Sequence, residues 1–465
     1  MRALRGLVPV AAATAVLLPM SALAATDSGV TRRVSVAYNT TNGDANGESS
    51  RALVSGNGRY VVYHSEADNL VPNDTQHRLA DVFRTDMGAS PPRTEMVSVN
   101  YLGKAPNSDS SFPAVSNDGR YVAFMSTASD IVQSDAGDAQ GDVFRRDMVT
   151  GVTARVSVTA SGRDPGGFST RPSISDDGRW VAFNSTAALV PNDPGGMDVY
   201  LRDMSKSPGT AGWITRVTGG AAGAADDDSL RAILSGDGNF ITFVSDDPNL
   251  VPNDTNRARD VYRWERATGD IVRASVTSTG GNINRGGTRP WINGDGRYVT
   301  FQTSGTATPG DTNGVDDVFR ADFGSGLHAA RPTIERVSVT PSGGDAAGAS
   351  TRIQINYDGR YVVFASNSHQ LTTGDRNQTR DVFRRDMVLR KTVRVSVNPS
   401  GGDSTCSSAA SAGTLTAFAR PGAPRLSTRP DVSNDGMHVI FVSGSCNLVP
   451  SDDNGFDDIF IRDYS

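Results

Sequence analysis

The sequence predicts an all-β protein, a seven-bladed β-propeller made of four-stranded antiparallel blades. Three observations lead to this fold. A hairpin motif of the type SISDDGRWVAFNS, at residues 173–185, occurs seven times at near-regular spacing. No segment has a sustained 3.6-residue apolar period, which argues against helices of any length. The two ends of the chain match complementary parts of one repeat, so that the chain can close into a ring of blades.

Each hairpin consists of two β-rich runs around an Asn/Asp-Gly turn. Glycine takes a positive φ without the steric cost of a Cβ atom, as tight hairpin turns require. In the second repeat, Phe112 to Ser116 is the predicted first strand and Tyr121 to Ser126 the second. The seven turn glycines are Gly58, Gly119, Gly178, Gly238, Gly296, Gly359 and Gly436.

Two further strands complete each repeat. The third is predicted from six-residue segments of the type DVFRRD, and the fourth from segments of the type RVSV, such as residues 155–158. The third strands begin at Asp81, Asp142, Asp198, Asp260, Asp317, Asp381 and Asp458. Four antiparallel strands in a radially repeated unit are typical of a propeller blade.

The two chain ends indicate how the ring closes. The sequence stops just after the third strand of the last repeat, whereas Arg33 to Val36 matches a fourth strand with no repeat before it. We therefore expect the N-terminal strand to complete the seventh blade, which leaves no open sheet edge. The predicted propeller spans residues 25–465, with an insertion in the seventh blade at about residues 403–426.

Residues 1–24 have the organisation of a secretory signal peptide. Arg2 and Arg5 precede an apolar run, and small residues ending at Ala24 follow it. Removal of this segment takes the formal charge from −6 to −8, which argues against nucleic-acid binding. We expect an exported, monomeric protein, periplasmic or extracellular, without a membrane span. An oxidising compartment favours a disulfide between the only two cysteines, Cys406 and Cys446; two free thiols are the alternative.

The hairpin S-x-D-G-[RK]-x-[VI]-x-F followed by D-[VI]-[FY]-x-x-D resembles the TolB-type, WD40-like propeller repeat. The resemblance covers residues 33–463. It implies the propeller fold and leaves function open, because propellers serve in binding, scaffolding and catalysis. TolB has an additional α/β domain ahead of its propeller, and prolyl-oligopeptidase-type enzymes join a similar propeller to a hydrolase domain. We expect neither of these domains here.

Aspartates recur at the start of the third strand and in the loop before it. Both positions belong to one face of the propeller, which we therefore expect to carry a ring of carboxylates. The loop aspartates are Asp74, Asp135, Asp193, Asp254, Asp311, Asp375 and Asp452. Two loops resemble calcium loops, because alternating Asp and Asn oxygens suit this cation. Their ligands would be Asp311, Asn313, Asp317, Asp452, Asn454 and Asp458. The alternative is that the aspartates cap backbone N–H groups.

An arginine precedes the predicted first strand in six repeats, and the second repeat has Phe112 instead. The six residues are Arg51, Arg171, Arg231, Arg289, Arg352 and Arg429. One interpretation is a cationic ring at the channel mouth that could receive an anionic ligand. The other is a repeated salt bridge between each arginine and a third-strand aspartate, a geometry that the planar guanidinium favours.

The third position of the first strand, two residues after the arginine, varies freely between the repeats, as a functional site would. Its departures cluster on the fifth to seventh blades, at Trp291, Gln354 and Asp431. Together with Arg289, Arg352 and Arg429 these residues are candidate ligand contacts. Trp291 could equally be core filler, since a large aromatic side chain fills either role.

Searches for catalytic motifs find no G-x-S-x-G, H-E-x-x-H or C-x-x-C segment, and the five histidines lie at unrelated repeat positions. The sequence therefore favours an exported, non-catalytic propeller that binds a protein or cell-envelope component through its acidic loop face. Two alternatives stay open. One is a glycan-binding or glycan-active propeller that uses the channel mouth, and the other is a mainly structural, metal-stabilised domain.

Overall fold

The computed structural model describes residues 29–40, 43–75, 78–133, 140–193, 195–219, 228–326, 331–404, 427–452 and 454–464. Within these ranges the strands form seven antiparallel four-stranded sheets, and no α-helix occurs. This confirms the predicted seven-bladed propeller. The described ranges accordingly hold no helix of the length and apolarity needed to cross a membrane. The predicted signal peptide lies outside them.

The strands are numbered β1 to β28 in chain order. The first strands of blades one to seven are β2 (Ser49–Val54), β6 (Ser110–Val115), β10 (Ser169–Ile174), β14 (Ser229–Leu234), β18 (Thr288–Ile292), β22 (Ser350–Ile355) and β26 (Ser427–Val432). The second strands are β3 (Tyr60–Ser65), β7 (Tyr121–Ser126), β11 (Trp180–Ser185), β15 (Phe240–Ser245), β19 (Tyr298–Thr303), β23 (Tyr361–Ser366) and β27 (His438–Ser443).

The outer half of each blade follows the same order. The third strands are β4 (Asp81–Asp86), β8 (Asp142–Asp147), β12 (Asp198–Asp203), β16 (Asp260–Glu265), β20 (Asp317–Asp322), β24 (Asp381–Asp386) and β28 (Asp458–Tyr464). The fourth strands are β5 (Arg93–Met96), β9 (Thr153–Arg155), β13 (Ile214–Arg216), β17 (Ile271–Arg273), β21 (Thr333–Arg336), β25 (Lys391–Arg394) and, in the seventh blade, β1 (Gly29–Arg33).

Two predicted strand boundaries were wrong. The first strand begins before the arginine that was expected to precede it, because a β-bulge at Arg51 and its counterparts lets the pairing continue on both sides. The fourth strand ends at the arginine that was expected to begin it. The next residue, Val156 in blade two, makes one more bond to Val143 O at 2.7 Å, and the chain then bends over the start of the third strand.

A pair of stacked aromatic rings fills the centre of every blade. In blade two, Phe124 of the second strand stacks on Phe144 of the third, with ring centroids 5.7 Å apart and no exposed surface on either side chain. The other six blades repeat this pair with centroid distances of 5.7 to 5.9 Å. Offset aromatic pairs of this kind contribute beyond their buried area. Phe124 and Phe144 share one buried cluster with Val62 and Val82 of blade one, so the core lies between neighbouring blades.

The turn glycine joins each blade to the one before it. Gly119 has a φ of 75°, and a Cβ atom there would lie 2.1 Å from the ring of Tyr60 in the preceding blade. Glycine is therefore required twice, for the backbone conformation and for the approach of the ring. All seven turn glycines have the same contact with an aromatic residue or histidine, the first residue of a second strand.

The third-strand arginine strengthens the same junction in five blades. Arg84 lies over the Tyr60 ring, with its guanidinium carbon 4.5 Å from the centroid, and donates to the carbonyl oxygen of Gly119 at 2.5 Å. Arg145, Arg263, Arg320 and Arg384 make the equivalent bond to the next turn glycine. The D-V-F-R segment is thus an element of blade-to-blade packing.

Strand β1 closes the ring as expected. It pairs antiparallel with β28, from Gly29 opposite Tyr464 to Arg33 opposite Phe460. The following residue, Val34, is buried and donates its N–H to Ile459 O at 2.7 Å. The first described strand therefore completes the last blade, and β28 has a neighbour on both sides.

Deletion of residues 25–37 should lower the melting temperature by at least about 5 °C, because it exposes the edge of β28 and removes the burial of Arg33 and Val34. Thermal unfolding followed by circular dichroism measures the change. A chain truncated only to residue 28, which keeps β1, is the control. Equal melting temperatures for the two truncations would overturn this account of closure.

Candidate functional site

The hairpin turns form a hydrogen-bonded circle at one end of the central channel. Six links join backbone groups and one comes from a side-chain amide, with lengths of 2.8 to 3.1 Å. They are Asn57 N to Asn117 O, Asn117 N to Asp176 O, Asp176 N to Gly236 O, Asp237 N to Gly294 O, Gly294 N to Tyr357 O, Asn356 Nδ2 to Asn434 O and Asn434 N to Gly56 O. Each blade is therefore tied to both of its neighbours at this end.

Polar side chains from these turns narrow the same end. Asn434 Nδ2 donates to Asn117 Oδ1 at 3.1 Å, and a Cβ atom on Gly56 would lie within 2.4 Å of both amides. Burial raises the pKa of the nearby Asp176 to about 6. A cavity of about 140 Å³ lies just inside this group of side chains. A ligand would therefore enter the channel from the opposite end, where the first strands begin.

A second cavity, of about 210 Å³, lies at that entrance, and we call it the mouth cavity. Six arginines and one phenylalanine, one residue from each first strand, surround it. These arginines, here called the arginine ring, are Arg51, Arg171, Arg231, Arg289, Arg352 and Arg429, and Phe112 takes the seventh place. Beneath them the wall is apolar and includes Leu53, Pro172, Ile233 and Trp291, which also line the inner cavity.

The convergence of these side chains has a backbone cause. The seven residues have φ values of 50° to 58°, a region that side chains other than glycine rarely adopt. Each lies in the bulge of its first strand, where the register shifts, as between Ser50 and Leu53 in blade one. A bulge re-aims the side chains of its strand. Here it places residues 51 and 53 of blade one, and their counterparts, on the channel wall.

The arginine ring has little compensation from carboxylates. Burial and Arg289 lower the pKa of Arg429, and Asp457 opposes this shift. None of its six members forms an ion pair within the described part of the chain; Arg429 donates to the hydroxyl of Ser50 at 3.2 Å. Burial, followed by repulsion from other ring arginines, lowers the pKa of Arg51, Arg231 and Arg352 to about 10. The guanidiniums therefore remain charged at neutral pH and repel one another. The predicted salt bridges to third-strand aspartates are not the ones that form.

Phe112 compensates part of this charge at its own position. The guanidinium carbons of Arg51 and Arg171, from the blades on either side, lie 3.9 and 4.6 Å from its ring centroid. A cation–π contact of this kind is attractive because the ring face is electron-rich. The exception to the arginine pattern is thus an aromatic residue shared between two arginines.

The third-strand aspartates are buried, and their partners come from the fourth strand and the residues after it. In blade two, Ser157 donates to Asp142 Oδ1 at 2.6 Å, and Arg155 lies 3.6 Å from Oδ2. Equivalent hydroxyl bonds occur in all seven blades. Fourth-strand arginines pair with these aspartates in six blades. The expected ring of carboxylates is present, but inside the blades.

The first blade lacks this arginine, because Met96 stands at the corresponding position. The carboxyl of Asp81 has no exposed surface and accepts a bond from Ser98 at 2.6 Å, and its Oδ2 has no hydrogen-bond partner among the described residues. Burial raises its pKa to about 7. In Asp260, Asp317 and Asp381, each beside an arginine, burial raises the pKa to about 6.

The two predicted calcium loops each hold a guanidinium. Carboxylate oxygens of Asp311, Asp317 and Asp345 lie within 4.8 Å of one another, and Arg336 Nη1 contacts all three residues. In the other loop, Arg33 Nη1 lies 3.4 Å from Asp452 and 3.7 Å from Asp458. A positive charge therefore already occupies the position expected for the ion.

The asparagines of these loops accept hydrogen bonds from backbone N–H groups, as the alternative to calcium binding predicts. Asn313 Oδ1 accepts from the N–H of Val315 at 3.1 Å, and its amide donates to Asp317 Oδ2 at 2.8 Å. Asn454 does the same with Phe456 and Asp458, at 3.0 and 2.9 Å. Calcium binding by these loops stays a prediction, and the contacts favour the alternative.

The three candidate residues that break the repeat on blades five to seven do not form one site. Trp291 and Gln354 line the mouth cavity with the arginine ring, whereas Asp431 lines only the inner cavity. Asp431 Oδ2 accepts from the N–H of Val54 at 2.7 Å, so this carboxyl links blade seven to blade one. Cys406 lies outside the described residues, as does most of the insertion at 403–426, and the disulfide to Cys446 stays a prediction.

Sequence reasoning missed which arginines pair with the third-strand aspartates. The fourth-strand arginine was identified as a repeated residue, but its pairing with the third-strand aspartate was not. The signal was available in the seventh blade, where Arg33 and Ser35 recur at the spacing of Arg155 and Ser157. Met96, where the arginine is replaced, marks the blade in which this pairing is absent.

Comparisons with known proteins give structural matches only. No family model and no curated protein matches the sequence. TolB from Acinetobacter baumannii matches at 15% identity over 76% of this chain and 64% of its own, with a TM-score of 0.39. A prolyl endopeptidase structure matches at 13% identity over 90% of this chain and 50% of its own, with a TM-score of 0.49.

A third match covers most of both chains. The β-propeller domain of the trilobed protease from Pyrococcus furiosus matches at 11% identity over 90% of this chain and 93% of its own, with a TM-score of 0.47. This chain thus spans just under two thirds of that TolB and half of the endopeptidase. The hairpin repeat of this chain resembles the TolB repeat, and TolB proteins are among the structures that match the chain. At this level of sequence identity the similarity concerns the fold alone.

Asp81→Asn should raise the melting temperature at pH 8 by about 2–4 °C and flatten its pH dependence between pH 8 and 5. A carboxyl whose pKa is raised by folding binds its proton more tightly in the folded state. Its burial therefore lowers the free energy of unfolding most at high pH, and this destabilisation disappears as the pH falls. Asp147→Asn is the control of opposite sign, since the Arg120 ion pair lowers the pKa of Asp147. A lower melting temperature for Asp81→Asn at pH 8 would contradict the assignment.

Calcium and EDTA should leave the melting temperature unchanged, because Arg33 and Arg336 already compensate the loop carboxylates. Differential scanning calorimetry with and without millimolar calcium makes the measurement. The opposite result would be a stabilisation by calcium that EDTA reverses. If Asp311→Asn combined with Asp452→Asn then abolished it, these loops would be the calcium sites after all.

Proposed function

We propose that this protein is a non-catalytic binding propeller that holds an anionic group of its ligand or partner in the arginine ring. The observation that carries the proposal is the set of six half-buried guanidiniums around one cavity, without a carboxylate partner in the described part of the chain. Guanidinium groups match carboxylate and phosphate oxygens in geometry and charge.

The contrast with the other arginines of the chain supports this function. Arg59 and Arg120, beside the turns, each form two hydrogen bonds to an aspartate at the end of the third strand. Arg155 and its counterparts lie among buried aspartates. These two repeated positions give their arginines an acidic partner, whereas the position of the arginine ring gives none at ion-pair distance within the described residues. The six ring arginines are therefore available for an external anion.

The chemistry of the cavity wall favours binding over catalysis. The residues that line the mouth cavity are arginine, proline, alanine, leucine, isoleucine, phenylalanine, tryptophan and glutamine. A nucleophile or a general base would need a serine, cysteine, histidine or carboxylate within reach of the bound ligand. The cavity wall offers charge, shape and apolar surface, which are the means of a binding site.

The partner expected from the sequence is a protein or a cell-envelope component. The third-strand carboxylates that were to form its docking face are buried and hydrogen-bonded, so they do not offer an acidic surface. The proposed contact is therefore the cationic mouth on the same side of the propeller. An acidic partner is then the complementary one, because electrostatic complementarity steers association.

Calorimetric titration with pyrophosphate and citrate, at constant ionic strength, tests the proposal. We expect both to bind, and Arg231→Gln combined with Arg352→Gln to weaken them at least tenfold, since a hydrogen bond to a charged group contributes about 1.5–3 kcal/mol. The matched control is Arg163→Gln combined with Arg285→Gln, which removes the same charge from exposed loop positions. Equal losses in the two double variants, or no binding by the native protein, would refute the proposal.

A further inference from the structure

Two neutral residues in the mouth cavity narrow the chemistry of the anion. Trp291 belongs to blade five and Gln354 to blade six, at the same height in adjacent first strands, and both line the cavity beside the arginine ring. Both face Phe112 across the channel, because blade two lies opposite the junction of blades five and six in a seven-membered ring. On this side of the cavity, the guanidiniums of Arg289 and Arg352 therefore lie in the same two strands as the indole ring of Trp291 and the amide of Gln354.

Gln354 has an unused hydrogen-bonding group. Its side chain is 7% exposed, and its amide makes no hydrogen bond within the described residues. The Oε1 atom is buried without a partner. A buried acceptor left unpaired is costly, and its complement is a hydrogen-bond donor. A deprotonated oxyanion has no donor for this oxygen, whereas a hydroxyl or N–H group beside the charge can donate to it once the amide turns about its last bond toward the cavity.

Trp291 adds a flat apolar surface to the same wall. Its side chain is half-buried, packs at its base against the cluster around Ile353 and Phe364, and lines both channel cavities. Aromatic side chains bind the apolar faces of ligands, and a few polar groups next to them fix the orientation. A small inorganic anion would leave this surface unused.

We propose, on the basis of the function proposed above, that the anion is an acidic sugar residue, either a uronate or a sugar phosphate. Its charged group lies among Arg289, Arg352 and the other ring arginines. The C–H face of its ring packs on Trp291, and a ring hydroxyl donates to Gln354 Oε1 after the amide turns toward the cavity. Each of the three features of a sugar acid thus has a partner in the cavity. The narrowed hairpin end suits a terminal residue of a glycan.

Calorimetric competition among five probes tests this ligand class. The probes are glucuronate, glucose 6-phosphate, glucose, pyrophosphate and an acidic tripeptide of Asp and Glu. We expect the two acidic sugars to bind at least tenfold more tightly than glucose and the tripeptide. A preference for one of them identifies the source of the charge, carboxylate or phosphate.

Gln354→Met, a substitution of similar volume, tests the contact itself. We expect it to reduce the ratio of acidic-sugar to pyrophosphate affinity at least tenfold, and Trp291→Leu to do the same. The melting temperature of Gln354→Met should be equal or higher, since an unpaired polar group is removed, and this shows that the fold is retained. An unchanged affinity ratio in both variants would overturn the inference.

The outcomes separate this inference from the proposed function. Pyrophosphate binding that depends on Arg231 and Arg352, together with acidic sugars that bind no better than glucose, would overturn the sugar and keep the anion site. A tripeptide that binds more tightly than the sugars would do the same and indicate a protein partner. If the native protein binds none of the charged probes, both proposals fail.

Discussion

The propeller depends on one recurring contact, the approach of an aromatic ring to a turn glycine of the next blade. Because the ring of Tyr60 lies where a Cβ atom of Gly119 would be, no other residue fits without displacing the blade. The hydrogen-bonded circle of turns forms directly beside this contact and depends on the same spacing. The narrow hairpin end and the alignment of the first strands follow from it.

Once the first strands are aligned, their bulges bring seven side chains to one height. In the turns, at the fourth residue of the third strand and at the end of the fourth strand, the repeated arginine has an aspartate or a carbonyl oxygen as its partner. At the bulge, within the described residues, six arginines lie together without an ion pair. Their mutual repulsion is a standing cost to the folded state, of a kind that functional sites bear and structural ones avoid. This difference in pairing, more than the charge itself, distinguishes the mouth cavity from the rest of the molecule.

The sequence was sufficient for the blade count, the turns and the closure by β1, because these follow from local turn chemistry and from the period of the repeat. It was insufficient for the partners of the charged residues. Whether Arg51 or Arg33 meets an aspartate depends on a bulge and on a bend after the fourth strand. The bulge has no local sequence signal, and the bend is marked only by the recurrence of arginine and serine at the spacing of Arg33 and Ser35. Trp291 and Gln354 could be selected because they break the repeat. Asp431 breaks it equally, yet serves the junction of blades seven and one.

Phe112 has a consequence that goes beyond its contact with two arginines. Seven identical residues around a channel would offer a ligand seven equivalent poses, related by rotation about the axis. One aromatic residue in blade two, facing Trp291 and Gln354, removes that degeneracy and leaves a single azimuth in which charge, ring and amide are all matched. A propeller built by repetition thereby acquires a direction in the plane of its ring, defined by one aromatic residue on one side of the mouth and a tryptophan and a glutamine on the other.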